Sequence, residues 1–397
     1  MFDPAQVRAL LASRQAGHTL PQPFYTDPAL FAFDLQAVFA RVWLFAGLDI
    51  ELPRPSGVVT RRIGPTSVLL ARGADGAIRG FFNTCRHRGA QICQEASSRV
   101  ARLTCPYHQW TYGLDGRLLA AAGMPRDFDR GTHGLLPVHV ETVAGVLFLC
   151  LAEAPPDFAP IRAALEPLLA PHGLADAKVA FESTIVEKGK WKLVMENARE
   201  CYHCDARHPE LMRSFPDVRK WGVDDEAARA FLARCRALGL PTGPVKTDGF
   251  DARRFPLRDG ARSFTLDGKP AVSRTLGQVG DGDIGSLRFA LEPNSFAHVV
   301  GDHAFLFWLL PLSAQETQVT MKWVVAKDAV EGVDYDLERL THVWNVTNDQ
   351  DVWLVENNQR GVNSQGYRPG PYSSVQETPV QSFVDWYCRM ADAALRR

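Results

Sequence analysis

The chain has 397 residues, 46% of them apolar, and its 44 Lys and Arg against 45 Asp and Glu leave a formal net charge of −1. That length suffices for one large core or two domains, and the charge balance excludes a field that would draw the chain to nucleic acid or an acidic membrane. The longest apolar run, 143–152, is far too short to span a bilayer, and eight cysteines behind a start with no basic-then-apolar pattern read as ligands or buried thiols rather than disulfides. A cytoplasmic protein is expected.

In chain order, residues 1–44 read as a helix, a link through Pro21 and Pro23, and a second amphipathic helix ending near Trp43. Val7, Leu10 and Leu11 set the first helix, with Asp3 as its cap and Pro4 at its first position. Residues 45–152 change character. Short β-branched runs at 57–60, 67–70, 79–82, 102–104, 111–116 and 146–151 alternate with turns such as Gly73-Ala74-Asp75-Gly76, which predicts an all-β domain. Glu153-Ala154-Pro155-Pro156 reads as a linker.

Residues 153–397 predict an α+β domain, an antiparallel sheet flanked by helices, with the 1–44 segment packed on it. Helices are expected near 161–169, across the segment carrying Glu196, Glu200 and His203, and at 224–239, 334–359 and 379–395. Strands are expected at 179–186, 263–266, 286–291, 304–310 and 318–325. The fold class is therefore α+β overall, an all-β domain followed by a mixed one.

Two constellations carry chemistry. Cys85-Arg86-His87 is followed, after seventeen intervening residues, by Cys105-Pro106-Tyr107-His108. Zinc sites usually pair Cys with Cys and His with His. Mixed pairs suit a Rieske [2Fe–2S] cluster, in which two thiolates hold one iron and two imidazoles the other. The second constellation is Glu200, His203 and His208. Helical spacing brings Glu196, Glu200 and His203 near one face. Pro209 should end the helix at His208 and swing that ring beside His203. Two histidines and a carboxylate form the facial triad of non-haem Fe(II) oxygenases. The carboxylate must come from elsewhere, and Asn348-Asp349-Gln350-Asp351 offers Asp351, with Asp349 held in reserve because periodicity alone does not separate them.

Three weaker signals are set aside. Gly280-Asp281-Gly282-Asp283-Ile284-Gly285 fits Gly-x-Gly-x-x-Gly, but a strand follows it and its two aspartates would repel a pyrophosphate. With no nucleotide site visible, electrons must come from a partner. Cys201 and Cys204 bracket His203 and are read as packing thiols, not a redox pair. Asn345-Val346-Thr347 would go unglycosylated in a cytoplasmic chain.

Together these motifs resemble the oxygenase (alpha) component of the Rieske non-haem iron oxygenases, over nearly the whole chain. The stretches 191–194, 200–204 and 208–211, then 327–336, then 348–351 running on to 370–373, are similar to the betaine-demethylating branch, which includes glycine betaine monooxygenase and stachydrine demethylase. Segments 213–216 and 267–274 look closer to the stachydrine type. One departure stands out: Phe296-Ala297 occupies a position where that branch leads one to expect Trp-Asn.

The resemblance implies that Cys85, His87, Cys105 and His108 hold the cluster and that His203, His208 and Asp351 hold the iron. It makes Glu200 a bridge between the iron site and a cluster histidine, His108, of a neighbouring subunit in a head-to-tail homotrimer. It implies O2 as cosubstrate and electrons from NAD(P)H through a separate flavin or iron–sulfur reductase. The reaction implied is N-demethylation of a quaternary ammonium betaine, of the proline betaine or glycine betaine type, with release of formaldehyde. A quaternary ammonium cannot donate a hydrogen bond, so aromatic faces must recognise it; Tyr202, Phe296, Phe305, Phe307 and Trp308 are candidates, with Asn197 and His298 for a substrate carboxylate. The competing readings are an aromatic-ring hydroxylating dioxygenase and a non-enzymatic Rieske electron carrier.

Overall fold

The computed structural model describes residues 2–52, 56–216, 226–258 and 260–396. The N-terminal segment holds α1 (Pro4–Ala12), α2 (Pro23–Thr26) and α3 (Pro28–Asp34). Asp3 and Asp27 cap α1 and α3 by accepting the amides of Ala5 and Ala29, satisfying donors that a helix start leaves free. Asp34, at the end of α3, is fully buried and fixes the segment in place. It receives Lys190 at 3.1 Å, Lys192, the indole N–H of Trp191 at 3.0 Å and the hydroxyl of Tyr387 at 2.8 Å. Burial alone would raise the Asp34 carboxyl, but the two lysines outweigh it and hold the carboxyl below its usual range.

Residues 44–150 form β1 (Leu44–Leu48), β2 (Gly57–Ile63), β3 (Thr66–Arg72), β4 (Ile78–Phe82), β5 (Ser97–Arg99), β6 (Leu103–Thr104), β7 (Thr111–Tyr112), β8 (Leu118–Ala120), β9 (Pro137–Val143) and β10 (Val146–Cys150). Seven make one sheet in the order β1-β10-β9-β4-β3-β2-β5, and β6-β7-β8 make a small second one. The tight β9–β10 hairpin needs positive φ at both central residues, and Ala144 (φ 48°) and Gly145 (φ 88°) supply it. A side chain at Gly145 would lie 2.4 Å from the backbone of Ala175, so glycine is required there by both conformation and space.

The rest of the chain holds α4 (Ala159–Leu169), β11 (Ala177–Glu187), α5 (Trp191–Asn197), α6 (Cys204–Arg207), α7 (Glu226–Ala237), β12 (Val245–Thr247), β13 (Phe250–Phe255), β14 (Ser286–Leu291), β15 (Ser295–Val299), β16 (Ala304–Ser313), β17 (Glu316–Ala326), α8 (Leu337–Val362) and α9 (Thr378–Leu395). Its seven strands form an antiparallel sheet, β11-β17-β16-β15-β14-β13-β12. The two large sheets share one core. Asn294 joins them by accepting the amide of Phe45 and donating to its carbonyl, both at 3.0 Å. Glu51 takes Arg61 at 2.7 Å and Lys322 at 2.8 Å across the same junction. A separate core of Val58, Leu69, Phe81, Leu103, Trp110 and Tyr112 underlies the loops that carry Cys85 and Cys105.

Several expectations are corrected. Residues 263–266 are not a strand, because the Ser263 hydroxyl and the amides of Ala271 and Val272 turn inward to the buried Asp302 carboxylate instead of joining a ladder. Strands β12 and β13 escape sequence reading because charged residues interrupt their apolar pattern. Part of the helix expected at 224–239 lies outside the described residues. Among the described residues, no helix is long and apolar enough to cross a membrane.

Candidate active site

The loops after β4 and β6 are built alike. In the first, the amide of Cys85 donates to Ala90 at 2.8 Å and that of Gly89 to Cys85 at 3.0 Å. In the second, the amide of Cys105 donates to Trp110 at 2.8 Å and that of Gln109 to Cys105 at 3.1 Å. Gly89 (φ 79°) and Gln109 (φ 60°), each four residues after its cysteine, turn the chain through the same left-handed conformation. The result sets both cysteines inward and brings the rings of His87 and His108 within 4.7 Å of each other near the surface. The hydroxyl of Tyr112 sits 3.3 Å from the Cys85 sulfur, and the amides of Tyr107 and His108 point at the Cys105 sulfur. Trp110 stacks on His87 at 4.8 Å, and Nδ1 of His108 is buried with no hydrogen-bond partner among the described residues. Two inward thiols fringed by donors and two outward imidazoles fit the donor set of a Rieske cluster.

The second constellation does not lie on one helix. Helix α5 ends at Asn197, Glu200 sits in the following turn, and His203 opens the short α6. The Glu200 carboxylate explains the break: it accepts the amide of Tyr202 and so competes with continued helix. Its other oxygen accepts from Nδ1 of His203 at 2.5 Å. His208, before Pro209, leaves the helical region as expected (φ −120°, ψ 63°).

Asp351, in the middle of α8, reaches both rings. Its Oδ1 is 3.3 Å from Nε2 of His203 and 3.2 Å from Nε2 of His208. Nε2 of His208 and Oδ1 of Asp351 are nevertheless buried with no hydrogen bond of acceptable geometry among the described residues. The three atoms converge on a shared point, which fits a facial metal triad. Asp349 is exposed and, among the described residues, the ion pairs of both histidines at this helix are with Asp351. Burial works against the protonated form of His203, but Asp351 and Glu200 outweigh it and raise the imidazole to about 9. Behind His208, Gln350 accepts from Nδ1 at 2.7 Å and donates to Glu210 at 3.0 Å, fixing the ring with Nε2 toward Asp351. Sequence reading passed over Gln350; its signal was its place beside the candidate aspartates on the same helix.

Cys201 and Cys204 are joined in a disulfide, which corrects their reading as separate packing thiols. A close turn around His203 brings the two sulfurs together. Cys204 is thereby withdrawn from metal binding, although its sulfur lies near His203.

A cavity of about 490 Å³ opens over the His203–His208–Asp351 cluster. Phe296, Phe305 and Phe307 line it, with His298, Asn197 and Trp344. Phe296 stacks on Phe307 at 4.6 Å, and Phe305 lies parallel to Trp344 at 4.2 Å. Trp344 comes from α8, one face of which also carries Asp351, and was missed because a helical tryptophan reads as core. Two candidates are corrected. Tyr202 is 61% exposed and does not line the cavity, since its turn throws the side chain outward. Trp308 falls on the opposite face of β16 from Phe305 and Phe307 and packs on Phe45 and Arg61. His298 faces the cavity and shares a hydrogen bond with Ser286 at 2.9 Å. Burial, then Arg288 and Arg253, hold its imidazole far below the usual range, so it is neutral. Arg253, Arg288 and Glu187 also line the cavity and were not foreseen.

Fold and site define a two-centre oxygenase subunit, and comparison with known proteins agrees. Residues 42–139 match the Rieske [2Fe-2S] domain, and residues 174–393 match the ring hydroxylating alpha subunit catalytic domain. The chain belongs to the Rieske non-haem iron oxygenases, as an alpha-type oxygenase subunit. It is 47% identical to the glycine betaine monooxygenase oxygenase subunit of Pseudomonas aeruginosa over 389 residues, covering 95% of this chain and 90% of that one. It is 47% identical to the corresponding subunit of Chromohalobacter salexigens, covering 95% and 87%. A crystal structure of the quaternary ammonium Rieske monooxygenase CntA shares the fold, with TM-score 0.75 at 23% identity over 96% of this chain and 97% of that one. The catalytic-domain match makes this subunit an enzyme and removes the reading of a simple electron carrier.

Proposed function

We propose that this subunit N-demethylates a quaternary ammonium betaine of the glycine betaine type, releasing formaldehyde. The observation that carries the reading is the aromatic-walled cavity of about 490 Å³ over His203, His208 and Asp351, in a chain 47% identical to glycine betaine monooxygenase subunits. In this reading Cys85, His87, Cys105 and His108 hold the [2Fe–2S] cluster, and His203, His208 and Asp351 hold one iron. When bound, these groups deliver electrons singly and supply the oxidising power that breaks an N-methyl C–H bond. The protein's part is to place the substrate and exclude water. Phe296, Phe305 and Phe307 present ring faces to the ammonium group, each worth roughly 0.5–2 kcal/mol. Oxygenation of the methyl group leaves an N-hydroxymethyl ammonium. Its hydroxyl loses a proton, the C–N bond breaks with its electron pair passing to nitrogen, and formaldehyde departs.

Glu200 is assigned as the bridge between centres. It already holds Nδ1 of His203, and a carboxylate can accept an imidazole N–H on each side. The paired rings of His87 and His108 near the surface suit delivery to the iron site of a neighbouring subunit, as in a head-to-tail homotrimer. A separate reductase would supply electrons from NAD(P)H, which favours a cytoplasmic setting. The test supplies loaded protein with a generic reductase and a panel of betaines, N-methyl amines and an arene. Formaldehyde from the betaines supports the reading; a cis-diol from the arene without formaldehyde would favour a ring dioxygenase instead.

A further inference from the structure

The cavity face of the second sheet carries charge at one end and rings at the other. Antiparallel partners share a face, so the pairings Arg253 with Arg288, Arg288 with His298, and His298 with Phe305 define one row across β13, β14, β15 and β16. The neighbouring row runs Asp251, Ala290, Phe296, Phe307. All but Arg253, Asp251 and Phe296 of these side chains are buried, and every one lines the cavity.

Arginines directly opposite on neighbouring strands repel, and this pair has a third guanidinium beside it. Arg199 is held by both oxygens of Glu292, at 2.9 and 2.8 Å, which commits that acid. Its remaining nitrogen, Nη1, is buried with no hydrogen-bond partner among the described residues, and Arg199 lines the same cavity. Among the described residues, Arg288 meets the carbonyl of Ala198 at 3.5 Å and the half-exposed Asp251 at 3.3 Å. Burial, then Arg199 and Arg253, push the Arg288 guanidinium down to about 9 despite Asp251 and Glu292. Positive charge has been collected at a wall that faces a small cavity, and Nη1 of Arg199 there carries no hydrogen bond among the described residues.

We propose that Arg288, flanked by Arg253 and by Nη1 of Arg199, forms an anion subsite that receives the substrate's carboxylate while the phenylalanines hold its ammonium group. The inference rests on the reading of the substrate as a betaine and adds to it the requirement for a zwitterion. Strands β14 and β16 are two strand spacings apart, about 10 Å. Arg288 on one and Phe305 and Phe307 on the other line the same cavity, so both ends of a small zwitterion can face partners on its wall. His298, neutral between them, adds a polar contact without competing for the anion.

Three probes separate the two ends: glycine betaine, its methyl ester (cation alone) and tert-butylacetate (anion alone, the carbon isostere of betaine). Binding to the loaded full-length protein is read by calorimetry, and formaldehyde release gives KM and kcat. We expect wild-type protein to bind betaine on the order of ten- to a hundredfold tighter than the ester, and to bind tert-butylacetate measurably. Arg288→Gln should erase most of both effects through KM, leave affinity for the ester nearly unchanged, and be partly rescued by Arg288→Lys. Equal affinity of wild-type protein for betaine and ester would overturn the subsite, and that comparison needs no variant to fold. Equal weakening of all three probes by Arg288→Gln would overturn it as well. If no quaternary ammonium compound is bound or demethylated, the functional reading fails; the subsite then stands or falls on whether tert-butylacetate binds in a manner dependent on Arg288.

Discussion

Nε2 of His203 lies 3.3 Å from Oδ1 of Asp351, which ties the turn after α5 to the middle of α8. The same carboxylate oxygen lies 3.2 Å from Nε2 of His208, so one acid closes a site whose two histidines are local to each other.

Asp351→Asn should therefore drop the loaded protein from about three irons per chain to about two and abolish formaldehyde release. Asp349→Asn, at an exposed position, should keep all three irons and turn over within about twofold of wild type. Iron analysis with a protein assay decides it, and the reverse pattern would move the third ligand to Asp349.

Gln350 fixes the ring of His208 from behind at 2.7 Å. Gln350→Ala should weaken iron retention roughly 10- to 100-fold, read as a shift in the chelator concentration that strips one iron per chain. An unchanged chelator profile would show that packing alone orients His208.

Glu200→Gln should leave both metal centres loaded, because Glu200 touches Nδ1 of His203, away from the nitrogen that converges with His208 and Asp351. Turnover should fall on the order of 100-fold. The cluster should still reduce at a normal rate in stopped-flow absorbance while its reoxidation by substrate and O2 slows. Reoxidation at the wild-type rate would remove Glu200 from the path.

Phe296→Leu keeps an apolar wall but deletes the ring stacked on Phe307. Loss of one cation–π contact of roughly 0.5–2 kcal/mol predicts a KM for the quaternary substrate raised about 2- to 30-fold. An uncharged tertiary amide of similar shape should be affected much less, and equal loss for both would point to packing instead.

His172 provides a pH test remote from the metals. It is buried beside Arg254, which donates to its Nε2 at 3.0 Å, and burial, then Arg254, lowers the imidazole to about 3. Its folded value lies below the unfolded value of about 6.5, so its stabilising contribution is present above that pH. The contribution is lost as pH falls toward 3, at up to about 1.4 kcal/mol per pH unit. His172→Gln should flatten the acid limb of a denaturant midpoint series between pH 7 and 4; parallel limbs would remove His172 from acid unfolding.

The sequence carried the chemistry where the candidate ligands sit close in the chain. Cys85 with His87, Cys105 with His108, and His203 with His208 were legible because each pair shares one loop or turn, so their spacing records their geometry. The glycine and proline around them, Gly89 and Pro209, announced the bends. The departures also have local causes. Glu200 broke the expected helix by capturing the amide of Tyr202, and its turn sent Tyr202 to solvent. Cys201 and Cys204 became partners because that turn closes on itself.

What spacing did not settle was anything made by distant strands and helices meeting. Asp349 and Asp351 are equivalent in composition, and only the packing of α8 against the α5–α6 turn sets Asp351 against both histidines. Phe307 and Trp308 look alike in a list of aromatics, and only strand alternation sends one to the cavity and the other to the interface with Phe45. Arg253 and Arg288 lie on separate strands, each unremarked in its own segment. Register alone made them opposite neighbours, because charge repulsion is a property of distance in space and leaves no periodic trace along the chain.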